Sequence, residues 1–274
     1  MTEPAGRPPR RTWVEMIMGL PISVLVRGPG VDGPAVSTAV DSVHAELRRL
    51  DAMFSTYRPD SEISRIRRGE LAIEDASPLV RQALDLCRLA ARDTDGWFAA
   101  WRPGPEGRRQ LDPSGLVKGW AVERASASLR ALDGHDWLIN AGGDILGSAT
   151  SGPPWRVAVE DPRERSRVLA VVPLITGAVA TSSAAARGDH LINPRTGRPA
   201  ASDLLSATVN GPSLTIADVY ATTVFVEGRA ALRRVAALPG YEAFVVLPDG
   251  RMIGTPGHGD RPQPNRPTAA PAFS

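Results

Sequence analysis

Lysine is almost absent from this sequence. Of 32 basic residues one is lysine, Lys118, and the other 31 are arginine. Cysteine is equally scarce. Cys87 stands alone, so no internal disulfide can form, and its run LVRQALDLCRLAA makes it a small buried hydrophobe. Histidine occurs only at positions 44, 135, 190 and 258, which leaves few candidates for acid–base chemistry near neutral pH. No run of about 18 apolar residues occurs, which argues against a membrane-spanning helix. The opening residues, MTEPAGRPPRRTWVEMIMG, hold no apolar signal core and no lipid-anchor cysteine. The expectation is a cytoplasmic protein. A net charge of +2 is too balanced to indicate a nucleic-acid partner. The arginine clusters at 7–11 and 65–68 read as solvated surface.

What is present is an ordinary globular composition. Apolar residues make up 42% and charged residues 23% of 274, enough to bury a sizeable core. Residues 1–12 read as a disordered Pro/Arg-rich arm, 13–254 as one folded domain, and 255–274 as a disordered Pro-rich tail. Within the domain, ISVLVR at 22–27 reads as a strand. Val36, Val40, Val43, Leu47, Leu50 and Phe54 form one helical stripe from about Pro34 to Phe54, with His44 on its polar side. Ser77 caps a second helix whose apolar face holds Val80, Leu84, Cys87 and Ala91. A third helix is expected from about Lys118 to Leu132. Short strands follow at 137, 155, 168, 178 and 204. A helix runs from Ser213, a shorter one from Arg229 to Leu238, and a last strand begins at Glu242. Helices and strands cluster without strict alternation, so the fold class is α+β.

Four stretches could carry chemistry. In SLTIADVYATTVFVEG, Asp218 and Thr222 are four apart and share a helix face. A carboxylate and a hydroxyl there suit Mg²⁺, a cation that prefers oxygen ligands; the threonine can equally bond back to its own helix. In INAGGDILG a strand ends in a Gly-Gly turn before Asp144, which allows close approach of a ligand or simply makes a turn. In GDHLINPRTGRP, His190 precedes a stiff Asn-Pro turn and reads either as a general base or as a surface histidine. In FSTYRPDSEISRI, Tyr57 and Arg58 either flank a planar ligand or lie on the surface, and residues 60–62 can cap the next turn.

Taken in order, these stretches resemble the ApbE family, the FAD:protein FMN transferases. The resemblance rests on Met18-Gly19, FSTYRPDSEISRI, DGWF at 95–98, LDPSGLVKGWAVERA, INAGGDI, WRVAVEDPR, AVATSS, HLINPRTGRP and TIADVYATTVFV. It covers roughly residues 16–250 and implies a single α+β domain, with short strands in mixed or antiparallel sheets, helices around them and a cleft for FAD. The implied activity is Mg²⁺-dependent transfer of FMN from FAD to a Thr or Ser hydroxyl of an acceptor flavoprotein, releasing AMP. A Mg²⁺-dependent FAD pyrophosphatase and a non-catalytic FAD-binding protein are the alternatives.

Carried over residue by residue, the resemblance makes Asp218, Thr222 and the Gly115 carbonyl the metal ligands. Asp218 and His190 become the catalytic pair, with His190 the base near the acceptor hydroxyl. Met18, Tyr57, Trp97, Phe98, Ala99, Asp112, Lys118 and Ile192 become FAD-contacting positions, with Lys118 a phosphate- or ribose-facing ammonium. Three departures stand out. Trp97-Phe98-Ala99-Ala100 replaces the family's usual Phe-Asp-Pro-Thr, the segment before LDPSG is short, and Asn193 stands where Asp is common.

Overall fold

The computed structural model describes residues 8–103, 109–183 and 191–256. In chain order its strands and helices are β1 (Arg10–Ile17), β2 (Leu20–Arg27), α1 (Pro34–Phe54), α2 (Glu62–Arg67), α3 (Pro78–Asp93), β3 (Trp101–Pro103), β4 (Arg109–Leu111), α4 (Ser114–Ala125), α5 (Ala127–Arg130), β5 (Asp136–Ala141), β6 (Asp144–Ser148), β7 (Trp155–Asp161), β8 (Glu164–Leu174), β9 (Thr176–Ser183), β10 (Ser206–Gly211), α6 (Leu214–Glu227), α7 (Leu232–Ala236), β11 (Glu242–Val246) and β12 (Met252–Gly254). Eight strands form one sheet in the order β1-β2-β5-β6-β9-β10-β11-β12, antiparallel at every junction. The pairs β3–β4 and β7–β8 stand as separate ribbons.

Local chemistry sets most of these elements. Helix α1 starts after Gly33 with Pro34 in its first turn, where a missing N–H costs nothing. Its stripe from Val36 to Phe54 is buried. Ser77 caps α3 by accepting the Val80 N–H at 3.4 Å. Ser61, inside the expected capping segment, caps α2 through the Ser64 N–H at 3.0 Å. Strands β1 and β2 join through a two-residue turn in which Met18 and Gly19 both have positive φ, 56° and 69°. Such a turn matches the twist of an antiparallel pair.

Three expectations need correction. The presumed arm ends early: Arg10–Thr12 are in β1, paired with Leu25–Arg27. Helix α4 starts at Ser114 instead of Lys118, because the Asp112 carboxylate accepts the Ser114 N–H at 3.0 Å and nucleates the first turn. His44 is buried at 6% exposure, because α1 packs against β1 and Glu15 lies 3.3 Å from its Nδ1. Burial pushes the His44 pKa down, against the pull of Glu15. Cys87 is buried as expected, and burial pushes its thiol up to about 12.

The sheet is covered on both faces. On one face α6 packs between α4 and strands β9 and β10, and α4 packs on α1. Helix α6 is apolar almost all round, as a helix buried over most of its surface must be. On the other face β7 and β8 lay Trp155, Val157, Val159, Val172 and Leu174 against Leu138, Val179 and Phe244 of the sheet. No described helix is long and apolar enough to cross a membrane.

Candidate active site

A cleft of about 480 Å³ lies above the helical face of the sheet. One wall is the Met18-Gly19 turn with the end of α1 and the residues after it, Asp51 and Phe54–Tyr57. The floor is the first turn of α4, with Ser114, Gly115, Val117 and Lys118. The far wall is Gly142, Thr181–Ser183 at the end of β9, Leu191, and Asp218 and Thr222 of α6.

Two contacts fix α4 against α6. A Cβ on Gly119 would sit 2.9 Å from the Leu214 carbonyl oxygen, so only glycine permits this crossing. Four residues on, the Glu123 carboxylate accepts the Leu214 N–H at 2.6 Å and the Thr215 hydroxyl, capping α6 from its neighbour. Ser213 caps the same helix through the Ile216 N–H at 3.3 Å. Asp218 and Thr222, one turn apart, therefore face the cleft at a set height relative to Gly115 and Lys118.

A charged triad from three elements adjoins the cleft, with Lys118 and Asp218 lining it and Asp144 buried beside Lys118. The Lys118 ammonium pairs with Asp144 Oδ2 and lies 3.5 Å from Asp218 Oδ2. Asp144 and Asp218 are 2% and 3% exposed. Asp144 follows the turn made by Gly142 and Gly143, both at positive φ, and its Oδ1 accepts the Thr181 N–H at 3.1 Å. Thr222 Oγ1 lies 3.3 Å from Ser182 Oγ. At the opposite wall, burial raises the pKa of Asp51, opposed by Arg58 and the Met18 N–H. Tyr57 projects from the rim, 96% exposed.

Of the residues expected at the site, Met18, Tyr57, Gly115, Lys118, Asp218 and Thr222 line this cleft together. The others lie behind or beside it. The Phe98 ring is buried and backs Gly115, where an added Cβ would stand 3.2 Å from the ring. Asp112 supports α4 and pairs with Arg102. Trp97 lies under the Arg195 guanidinium, 3.9 Å from its ring centre. Ala99 borders a separate cavity of about 250 Å³ beside Cys87. Ile192 bridges to Pro199, while its neighbour Leu191 reaches the cleft. His190 lies outside the described residues. Asp144 and the Thr181–Ser183 edge lay in stretches the sequence singled out, but no site role was assigned to them. The Gly-Gly turn before Asp144 is visible in the sequence, but the meeting of its carboxylate with Lys118 is not.

The oxygens of Gly115, Asp218 and Thr222 suit a hard cation such as Mg²⁺, which takes few protein ligands and completes its shell with water and phosphate. The donor set fits: a buried carboxylate, a hydroxyl and a backbone carbonyl on one cleft. Among the described residues no cluster of three or more His, Cys, Asp or Glu forms a metal site of the all-side-chain kind.

Comparison with known proteins points to one family and one fold. The ApbE family model matches residues 18–101 and 103–245. The FAD:protein FMN transferase of Haemophilus influenzae is 25% identical over 79% of this chain and 81% of that protein. The FAD:protein FMN transferase of Rhodobacter capsulatus is 35% identical over 54% of this chain, but the alignment spans only 30% of that longer protein. Among solved structures, the ApbE protein of Thermotoga maritima shares the fold with a TM-score of 0.77 at 21% identity, covering 90% of this chain and 97% of that one. The apo flavinyl transferase ApbE of Pseudomonas stutzeri gives 0.76 at 25% identity, covering 93% and 97%. With the family model spanning most of its length and the fold shared nearly end to end, this chain belongs to the ApbE family.

Proposed function

We propose that this protein is a Mg²⁺-dependent transferase that moves FMN from FAD to a Thr or Ser hydroxyl of an acceptor flavoprotein, releasing AMP. The observation that carries this reading is the convergence of Gly115, Lys118, Asp218 and Thr222 on one cleft, from two helices locked by Gly119 and Glu123. The names of the matched relatives supply only the transfer of FMN from FAD to a protein.

In the proposed reaction the acceptor oxygen attacks the FMN phosphorus. The bond from that phosphorus to the bridging oxygen breaks, and the oxygen leaves with AMP. The hydroxyl proton goes to a base, a role assigned to His190 by the sequence resemblance alone. The residues named here bind and orient. Gly115, Asp218 and Thr222 would hold the divalent ion, which when bound supplies positive charge against the negative charge developing on the pyrophosphate. Lys118 presents an ammonium beside that position. Tyr57 and Met18 offer apolar surface at the rim for a flavin or adenine ring. Burial of Asp144 and Asp218 strengthens the charge interactions made there, because the low permittivity screens them little.

The test is an incubation of protein, FAD, Mg²⁺ and an acceptor flavoprotein domain, read by intact mass and AMP release. The expected result is an acceptor heavier by one FMN with AMP in equal amount. AMP and free FMN without an adduct would replace transfer by hydrolysis. Intact FAD in the presence of Mg²⁺ would overturn both.

A further inference from the structure

The one lysine of the chain sits between two buried carboxylates. Its ammonium pairs with Asp144 Oδ2 and lies 3.5 Å from Asp218 Oδ2. The two aspartate side chains are 3% and 5% exposed, and the lysine side chain 24%. Asp218 belongs to the donor set assigned to the divalent ion. Asp144 does not. Its Oδ1 accepts the Thr181 N–H at 3.1 Å, which orients the remaining oxygen toward Lys118. A lysine ammonium is a compact point charge on a flexible stem and can shift between two neighbouring oxygens. A guanidinium is broader, planar and fixed in its fork. In a chain that otherwise uses arginine throughout, the exception falls where a small, mobile cation sits between two acids.

We propose that Lys118 is the internal counter-cation of the divalent-ion site. Held on Asp144, it still lies within reach of Asp218 and compensates it while no ion is bound, and Asp144 keeps it when an ion takes Asp218. Asp144 is then a positioning residue: it receives the ammonium and keeps it beside the pyrophosphate. This rests on reading Asp218 as an ion ligand. Two like charges cannot crowd one buried carboxylate without cost, so the ammonium sets the affinity of the site for the ion. Removing the ammonium leaves the carboxylates of Asp144 and Asp218 to attract the ion more strongly. Removing the charge of Asp144 leaves the ammonium without the partner that holds it off Asp218. The two changes shift ion affinity in opposite directions, which a role in folding alone does not produce.

The experiment is a titration of the full chain with Mn²⁺, without FAD, following free Mn²⁺ by electron paramagnetic resonance. Wild type, Lys118→Met and Asp144→Asn are compared, each with a thermal melt in chelator and in Mn²⁺. Lys118→Met is expected to bind Mn²⁺ about tenfold tighter or more, and to show a larger rise in Tm on adding Mn²⁺ than wild type does. Asp144→Asn is expected to bind about tenfold weaker. Lys118→Met binding as wild type does, or more weakly, overturns the counter-cation and leaves the ion site standing. If Lys118→Met does not fold, Asp144→Asn decides: unchanged or tighter binding overturns the proposal. If neither wild type nor Lys118→Met binds Mn²⁺, the reading of Asp218 as an ion ligand fails, and the proposal falls with it.

Discussion

The two faces of the large sheet are buried by different means. The face under β7 and β8 is closed by aliphatic and aromatic side chains: Trp155, Val157, Val159, Val172 and Leu174 on Leu138, Val179 and Phe244. The face under α4 and α6 is closed by an apolar helix that carries Asp218 through the middle of its buried surface, toward Lys118 and Asp144. Apolar burial requires only volume and shape. Buried charge requires partners at defined positions, because an ion stripped of water is costly unless it is paired. The ribbon face therefore contributes stability, and the helical face spends part of its stability on a charged site.

Four variants separate these roles. Asp218→Ala should have the largest effect, lowering the rate of AMP release from FAD by about 10³-fold or more, as loss of a charge-stabilising group does, while the protein stays folded. A rate within tenfold of wild type would remove the helical face from the chemistry. Trp155→Ala on the ribbon face should behave in the opposite way. It should cost about 3–5 kcal/mol in urea denaturation and leave the rate per folded molecule unchanged. Gly119→Ala tests the joint between the helices. The new Cβ meets backbone at 2.9 Å, so α4 and α6 must part, costing about 1–3 kcal/mol and lowering turnover as the Gly115 carbonyl moves from Asp218. An unchanged rate would show that the site tolerates helix displacement.

The smallest effect belongs to the tip of the ribbon. Hydrogen bonds from the Arg163 side chain lower the Asp161 pKa to about 2. A carboxyl depressed in the folded state adds stability above its unfolded pKa, near 4, and loses it as pH falls toward 2. Asp161→Asn should remove that part of the acid dependence of Tm and leave AMP release at neutral pH untouched.

Much of this was legible in the sequence, and the misses share a cause. The α1 stripe fell within its true bounds because a long amphipathic period is a local signal. The Ser77 cap was readable for the same reason. Strand β1 was hidden because its arginine-rich start looks like an arm; it is ordered by pairing with β2 across the Met18-Gly19 turn. Strand β6 was hidden because Asp-Ile-Leu-Gly-Ser carries a weak strand signal between two stronger partners, β5 and β9. His44 looked polar because its helix position allows it, and only the packing of β1 on α1 encloses it.

The same division runs through the site. The sequence by itself determined which chemistry was at hand: one lysine, an aspartate and a threonine one helical turn apart, a glycine just before an expected helix, and an ordered set of stretches resembling one family. These are properties of neighbours along the chain, set by periodicity and turn geometry. Only the tertiary structure decided that Lys118 reaches both Asp144 and Asp218, that Phe98 and Asp112 stand behind the cleft as supports, and that Glu123 ties the two helices together. Charge pairing and close packing act through space between residues far apart in the chain, and no local pattern records them.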